Sequence, residues 1–119
     1  MPFDWREYLR LAEFLIQNST VFDREAALRC ATSRAYYAAF CYARNYSQLN
    51  SGFIPNENAE DHTSLRIHLE QQGKPNIAAR LDQLRQWRNK CDYENEVFQP
   101  SDIATNAVRT AAKVVDSLR

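Results

Sequence analysis

An unbroken run of apolar and aromatic residues, from Ala35 to Ala43, most constrains what this chain can fold into. The run is nine residues long, which is too short to cross a membrane, and it contains no Gly, Pro or β-branched residue. A helix that is apolar on nearly every side belongs inside a bundle rather than on its surface. The run therefore predicts a central helix around which the others pack, and Arg34 at its start must be paired or serve a site.

The composition favours an all-α fold in a single domain. The chain has 119 residues, of which 45% are hydrophobic and 25% charged, and this is typical of a globular domain large enough to bury a core. Only two Gly and four Pro are present, which disfavours sheet-and-turn architectures and glycine-rich phosphate loops. We expect one domain over residues 1–119. The formal net charge is zero, so no overall charge draws the chain to nucleic acid, and we expect no membrane association.

The three cysteines and two histidines indicate neither disulfides nor a metal site. Cys30, Cys41 and Cys91 are odd in number and form no CxxC pair, so we expect buried free thiols in a reducing compartment. No spacing of these cysteines with His62 and His68 fits a metal site, and we expect no metal and no cofactor. The first residues form neither a signal peptide nor a transit peptide, which predicts a cytoplasmic protein.

Helical spacing and capping residues predict five helices. They cover about residues 4–18, 20 or 23 to 46, 59–72, 74–93 and 100–118. Gly73 is expected to end the third helix, and Pro75 lies in the first turn of the fourth. Phe53 and Ile54, in the longest connection, are expected to fold back onto the helices. Short connections imply an antiparallel up-and-down bundle with four long helices and one shorter helix.

One face of the fourth helix carries the most informative polar side chains, which are Arg85, Arg88, Asn89 and Asp92. Their spacings of three, four and seven residues place them together, on or beside the buried stripe of that helix. Two arginines and an amide on one face can bind a phosphate, with Asp92 orienting Arg88. The alternative is a helix-surface ion pair between Arg88 and Asp92, worth about 0.3–0.5 kcal/mol.

His62, in the first turn of the third helix, is a candidate general acid–base at physiological pH, and the alternative is a histidine with a structural or no role. His68 is six residues further on, so the two histidines lie on different sides of the helix. We assign orienting or structural roles to Asp92, Ser33 and Tyr37. The aromatic side chains that could stack on bases are Tyr36, Tyr37, Tyr42, Tyr46, Trp87 and Tyr93. For the four tyrosines of the second helix, the run of apolar neighbours favours core packing.

Two segments together resemble the HEPN family (higher eukaryotes and prokaryotes nucleotide-binding). One is residues 33–40, SRAYYAAF, in the second helix, and the other is residues 88–93, RNKCDY, at the end of the fourth. Residues 62–64, HTS, are similar to a His-containing segment found between those two in many small stand-alone members. The resemblance covers nearly the whole chain, from about residue 4 to residue 118.

The resemblance implies an α-helical up-and-down bundle. Many members of the family dimerise and form a ribonuclease site at the interface, from an Arg, the polar residue that follows it and a His several residues further on. Others are paired with a minimal nucleotidyltransferase as a toxin–antitoxin system, and in some of these a tyrosine close to the motif is modified. Carried over to this chain, Arg88 matches the arginine, Asn89 the polar residue and Tyr93 the nearby tyrosine.

The histidine of the family motif is missing from this chain. Tyr93 stands at the shortest allowed spacing from Arg88, and Asp92 occupies the histidine position if Arg85 is taken as the arginine. This argues against metal-independent RNA cleavage, because histidine is the group whose pKa suits proton transfer at a ribose 2′-hydroxyl. His62 could replace it if folding or dimerisation brings it close to Arg88.

Two of the functions that these residues predict involve RNA. The first is a HEPN-like homodimer that binds RNA or nucleotide phosphate and acts as the toxin or substrate-recruiting partner of a nucleotidyltransferase. Its phosphate-binding residues would be Arg34, Arg85, Arg88 and Asn89. The second is a metal-independent ribonuclease with an altered site, in which Arg88 stabilises the developing charge and His62 or Tyr93 handles the proton.

The third predicted function is a non-catalytic interaction module. In that case Arg34, Arg88 and Asp92 form only a buried ion-pair network that fixes the register of the helices. In every case we expect the Arg34 guanidinium to point at the fourth helix. There it would either meet Asp92 or share a phosphate site with Arg88.

Overall fold

The computed structural model describes residues 2–118, and over that range the chain is helical with no β-strand. The helices are α1 (Arg6–Gln17), α2 (Arg24–Asn50), α3 (Asp61–Gln71), α4 (Pro75–Tyr93) and α5 (Pro100–Ser117), with a short 3-10 turn at Ser19–Val21. The all-α prediction is confirmed. With 12 residues, α1 is only one residue longer than α3 with 11, so α2, α4 and α5 are the long helices. Met1 and Arg119, the ends of the predicted domain, lie outside the described residues.

The central position of α2 is confirmed, since it packs against α1, α4 and α5. Most of the apolar run is buried, namely Ala35, Tyr36, Ala38, Ala39, Phe40, Cys41 and Ala43. Tyr37, Tyr42 and Tyr46 pack against this core with part of their surface exposed. The many alanines let neighbouring helices approach α2 closely. Within the described residues, no helix combines the length and the apolar character needed to span a bilayer.

Local signals place most helix ends. The Asp23 carboxylate caps α2 by accepting a hydrogen bond from the Ala26 amide at 2.9 Å. Gly73 adopts a φ of +77° after α3, and the Lys74 amide donates to the Leu69 carbonyl at 2.8 Å, as expected for a glycine C-cap. The largest difference is at the end of α2, which continues past the predicted residue 46 to Asn50 because no Gly or Pro interrupts the helix before Gly52.

Two predictions of burial are wrong. Ile54 is 82% exposed, whereas its neighbour Phe53 is only 6% exposed and packs near His68. Consecutive side chains of a non-helical segment point in different directions, so only one of the two reaches the core. Cys30 is exposed, whereas Cys41 and Cys91 are buried. Cys30 follows Ala26 by one helical turn, and both side chains are exposed.

Candidate phosphate-binding site

Arg88 is the centre of the candidate site, and its guanidinium is held by residues of its own helix. Nε lies 2.8 Å from Asp92 Oδ2 in an ion pair that is not aligned as a hydrogen bond. Nη1 donates to Asn89 Oδ1 at 3.1 Å, and Nη2 donates to the Tyr93 hydroxyl at 3.3 Å. The Arg88 side chain is 19% exposed, so it remains accessible from one side. Of the predicted α4 face, Arg88, Asn89 and Asp92 are therefore brought together, and Tyr93 joins them.

Two aromatic rings flank the Arg88 guanidinium. Its Cζ lies 5.3 Å from the centroid of Tyr37, on α2, and 5.3 Å from that of Tyr93. These are cation–π distances, and such contacts fix a guanidinium in place while leaving its edge free to donate hydrogen bonds. Tyr93 itself is 72% exposed, so it forms the outer wall of the site.

Arg34 reaches the same site from α2. Its Cζ lies 5.2 Å from the Tyr37 ring and 4.9 Å from the ring of Tyr8. Its Nη2 donates to Ser33 Oγ at 3.3 Å, and that hydroxyl donates to Asp92 Oδ2, also at 3.3 Å. Of the two arrangements predicted for Arg34, the direct contact with Asp92 is not formed: Ser33 stands between them, and Asp92 is paired with the arginine one turn earlier on its own helix.

His62, in the first turn of α3, contacts the same Tyr37 ring. Its ring stacks on Phe40 with centroids 4.2 Å apart and an angle of 9°, and its edge contacts the Tyr37 ring at 6.4 Å. Its Nδ1 is hydrogen-bonded to the hydroxyl of Tyr36. Burial raises the pKa of Tyr36, so this hydroxyl keeps its proton. The fold therefore brings His62 to the ring that also contacts Arg88.

The environment of His62 favours its neutral form. Burial lowers the pKa of His62, and the positive charges of Arg88, Arg66 and Arg85 lower it further, against a smaller opposing effect of Asp61. A neutral imidazole can accept a proton. His62 is therefore a neutral imidazole beside a cluster of arginines.

Arg66 is a member of this cluster that sequence reasoning missed. Its Nη1 donates to the His62 carbonyl at 3.1 Å, and its Nε lies 3.8 Å from Asp82 Oδ1. The same carboxylate oxygen is 3.0 Å from Nη2 of Arg85. Arg85 is therefore engaged with Asp82 rather than with Asp92, and its hydrogen bond lowers the pKa of Asp82. The available signal was the spacing of four residues between His62 and Arg66 on α3.

The two histidines have different hydrogen-bond partners. His62 is bonded to Tyr36, whereas Nε2 of His68 is 2.8 Å from the hydroxyl of Ser51. Among the residues that the structure describes, no group of three or more His, Cys, Asp and Glu side chains is arranged to hold a metal ion.

Comparison of the chain with models of known protein families, with curated proteins and with solved structures finds no match. The HEPN assignment therefore remains a prediction, based on the motifs in residues 33–40 and 88–93.

Proposed function

We propose that this chain is a HEPN-like helical domain in which Arg34 and Arg88 bind a phosphate of RNA or of a nucleotide. Its helices would run up and down in an antiparallel bundle. It would act as a cytoplasmic homodimer and serve a nucleotidyltransferase as toxin or as substrate-recruiting partner. Asn89 would add a polar contact, and Arg85, also on α4, would contribute positive charge.

The observation that carries this proposal is the approach of two guanidiniums to one ring. Arg34 and Arg88 lie 5.2 and 5.3 Å from the centroid of Tyr37. Within residues 2–118, Arg34 forms no ion pair, and Arg88 has Asp92 as its one carboxylate partner. Two positive charges and one negative charge leave a net positive site, and a phosphate would balance it through charge-assisted hydrogen bonds.

Binding assays on matched variants test this proposal. We expect Arg88→Ala to weaken binding of a short single-stranded RNA about tenfold, since it removes charge-assisted hydrogen bonds. Lys90→Ala is the control, because Lys90 is an exposed cation on the same helix. If Arg88→Ala leaves binding to RNA, to a mononucleotide and to a co-expressed nucleotidyltransferase all unchanged, we would reject the proposal.

A metal-independent ribonuclease is the second candidate, and the position of His62 favours it. With Nδ1–H donating to the Tyr36 hydroxyl, Nε2 would be free to take a proton from a ribose 2′-hydroxyl. Arg88 would stabilise the charge that develops on the phosphate, and the Tyr93 hydroxyl beside it would supply the proton to the leaving 5′-oxygen. The assay uses single-stranded RNA with metals chelated. Absence of cleavage, or equal cleavage by the wild type and by His62→Gln and Arg88→Ala, would exclude this activity.

A non-catalytic interaction module is the third candidate, favoured by the internal ion pairs. Arg88 is paired with Asp92, and Arg85 with Asp82. Arg34→Met separates this candidate from the first. Loss of stability without any RNA binding by the wild type would indicate a structural network, whereas an intact fold with lost RNA binding would indicate a site.

A further inference from the structure

A cleft of about 430 Å³ lies beside the candidate phosphate-binding site. Its walls are Phe40, Arg44, Asn45 and Gln48 of α2, Pro55, Glu57 and Asn58 of the connection to α3, and Asp61 at the start of α3. This volume is within the usual range of small-molecule sites, about 300–1,000 Å³. The cleft and the phosphate site share one element, because the Phe40 ring that lines the cleft stacks on His62.

The cleft contains a cation and an anion that the protein does not pair. The Nε of Arg44 donates to Asn45 Oδ1 at 3.2 Å, but in the described part of the chain its guanidinium forms no ion pair. Glu57 is exposed, and its carboxylate likewise has no ion pair or hydrogen bond there. A donor fork and an acceptor pair are therefore both available to a ligand.

The backbone that presents Glu57 is held in an unusual conformation. Glu57 has a φ of +61°, in the left-handed region that non-glycine residues rarely adopt. The buried Asp61 stabilises it, since its Oδ2 accepts from the Glu57 amide at 2.9 Å and its Oδ1 from the Asn56 amide at 2.8 Å. Both oxygens of Asp61 are thus used by the chain, and Glu57 is the carboxylate left for a ligand.

We infer that this cleft binds a guanine base. Guanine carries two adjacent donors, N1–H and the N2 amino group, which match the two oxygens of the Glu57 carboxylate. It also carries two adjacent acceptors, O6 and N7, which match the guanidinium fork of Arg44. Adenine, cytosine and uracil lack the pair of adjacent donors. Arg44, Glu57 and Asp61 together give the cleft a formal charge of −1, which suits a neutral base better than a phosphate.

The cleft follows the phosphate site along α2. Tyr37, Phe40 and Arg44 are three and four residues apart, so they lie on one side of the helix. Along the axis, Arg44 is about 10 Å beyond Tyr37. The guanine could belong to a free nucleotide or to an RNA strand. The RNA form of the inference rests on the proposed function, with a phosphate at Arg34 and Arg88 and the guanine in the cleft.

Binding of the four mononucleotides to the full chain, measured by calorimetry, is the first test. We expect GMP to bind at least about tenfold more tightly than AMP, CMP and UMP, and Glu57→Gln to remove that preference. Arg44→Lys keeps the charge but loses the donor fork, so it should also weaken GMP binding. Glu60→Gln is the matched control, an exposed carboxylate of the same connection outside the cleft.

Equal binding of the four nucleotides would overturn the inference, and so would an undiminished preference for GMP in Glu57→Gln. A short RNA with one guanine, compared with the same RNA carrying adenine there, identifies the source. Preference for the guanine RNA, lost in Glu57→Gln, supports the RNA form. A GMP preference without RNA binding, with a GMP affinity that Arg88→Ala leaves unchanged, keeps the guanine cleft and contradicts phosphate binding at Arg88. RNA binding that depends on Arg88, without guanine preference in either assay, keeps the proposed function and rejects the cleft.

Discussion

Arg29 and Arg88 both lie where α2 meets the C-terminal part of α4, and each pairs with a carboxylate of its own helix, Arg29 with Glu25 and Arg88 with Asp92. Their other partners are of different kinds. Arg29, on α2, donates to the main-chain carbonyls of Cys91, Glu94 and Asn95. These carbonyls belong to the last turn of α4 and the residues that follow it. Arg88, on α4, contacts only side chains and aromatic rings.

The difference separates a structural arginine from one that can bind a ligand. Carbonyls at a helix end have no partner within the helix, so a side chain that satisfies them holds the backbone in place. Arg29 could bind a ligand only if the end of α4 came apart. The side chains around Arg88 can rotate away, and a phosphate could take their place without any change in the backbone.

The largest effect that we expect is a loss of stability in Arg29→Met. Removing the guanidinium leaves the three carbonyls without their charged donor, and we expect the free energy of unfolding to fall by about 2–3 kcal/mol. Arg88→Met should cost less than about 1 kcal/mol, since Asp92 is 25% exposed and keeps the hydrogen bond from Ser33. Urea denaturation of the two variants measures both values. Equal losses would remove the distinction between the two arginines.

The second effect concerns RNA affinity and has the opposite ranking. Arg88→Met should weaken RNA binding about tenfold and reduce the slope of log affinity against log salt by about 0.7, the value for one phosphate contact on a single strand. Arg29→Met should leave both unchanged at a temperature where it is folded. Fluorescence anisotropy over a salt series provides the measurement, and a changed slope in Arg29→Met would contradict the comparison.

The third effect is on the reactivity of Cys91, whose main-chain carbonyl accepts a hydrogen bond from Arg29. Burial raises the pKa of the Cys91 and Cys41 thiols, so the exposed Cys30 should be alkylated first. Arg29→Met frees the end of α4 and should accelerate alkylation of Cys91 several-fold, with no such change in Arg88→Met. Mass spectrometry of the labelled peptides over time distinguishes the three cysteines. Slow alkylation of Cys91 in Arg29→Met would show that other contacts close this end of α4.

The smallest effect is a pH dependence of stability from His62. Burial, with the charges of Arg88 and Arg66, places the pKa of folded His62 below the ordinary 6.5, so the unfolded chain binds the proton first as the pH falls. Stability contributed by His62 is complete above pH 6.5 and decreases from there down to the folded pKa. Denaturation at several pH values should show a shallower dependence in His62→Gln and in Arg88→Met, and an unchanged one in Arg29→Met. The same slope in all of these variants would exclude His62 as its source.

The helices could be predicted because their signals are local. Asp23, Gly73 and Pro75 determine helix ends through their own side chains or backbone preferences, and the alanine-rich run determines which helix is central. The α4 face was predictable for the same reason, since Arg88 and Asp92 are one turn apart. Burial of single residues such as Cys30 was not, because it depends on which side of a helix its neighbours cover.

The other contacts described above join residues that are distant in the sequence. The carbonyl partners of Arg29 are 62–66 residues away, and main-chain acceptors carry no signature in a sequence. The cleft could not be predicted because it depends on the positive φ of Glu57, and a glutamate in a sequence does not indicate a positive φ. Ser33 came between Arg34 and Asp92 because the paths of two helices, rather than the spacing in one, decide that distance.

The 27 uninterrupted residues of α2 also fix a length. Tyr37 and Arg44 are separated by nearly two helical turns. The helix therefore fixes the distance between the candidate phosphate-binding site and the cleft. Inserting one alanine between them would turn Arg44 about 100° away from the cleft while changing the length by only about 1.5 Å. An insertion of seven residues would restore the direction of Arg44 and move it about 10 Å further along the axis. The preferred distance between the bound phosphate and the bound guanine of an RNA should then increase.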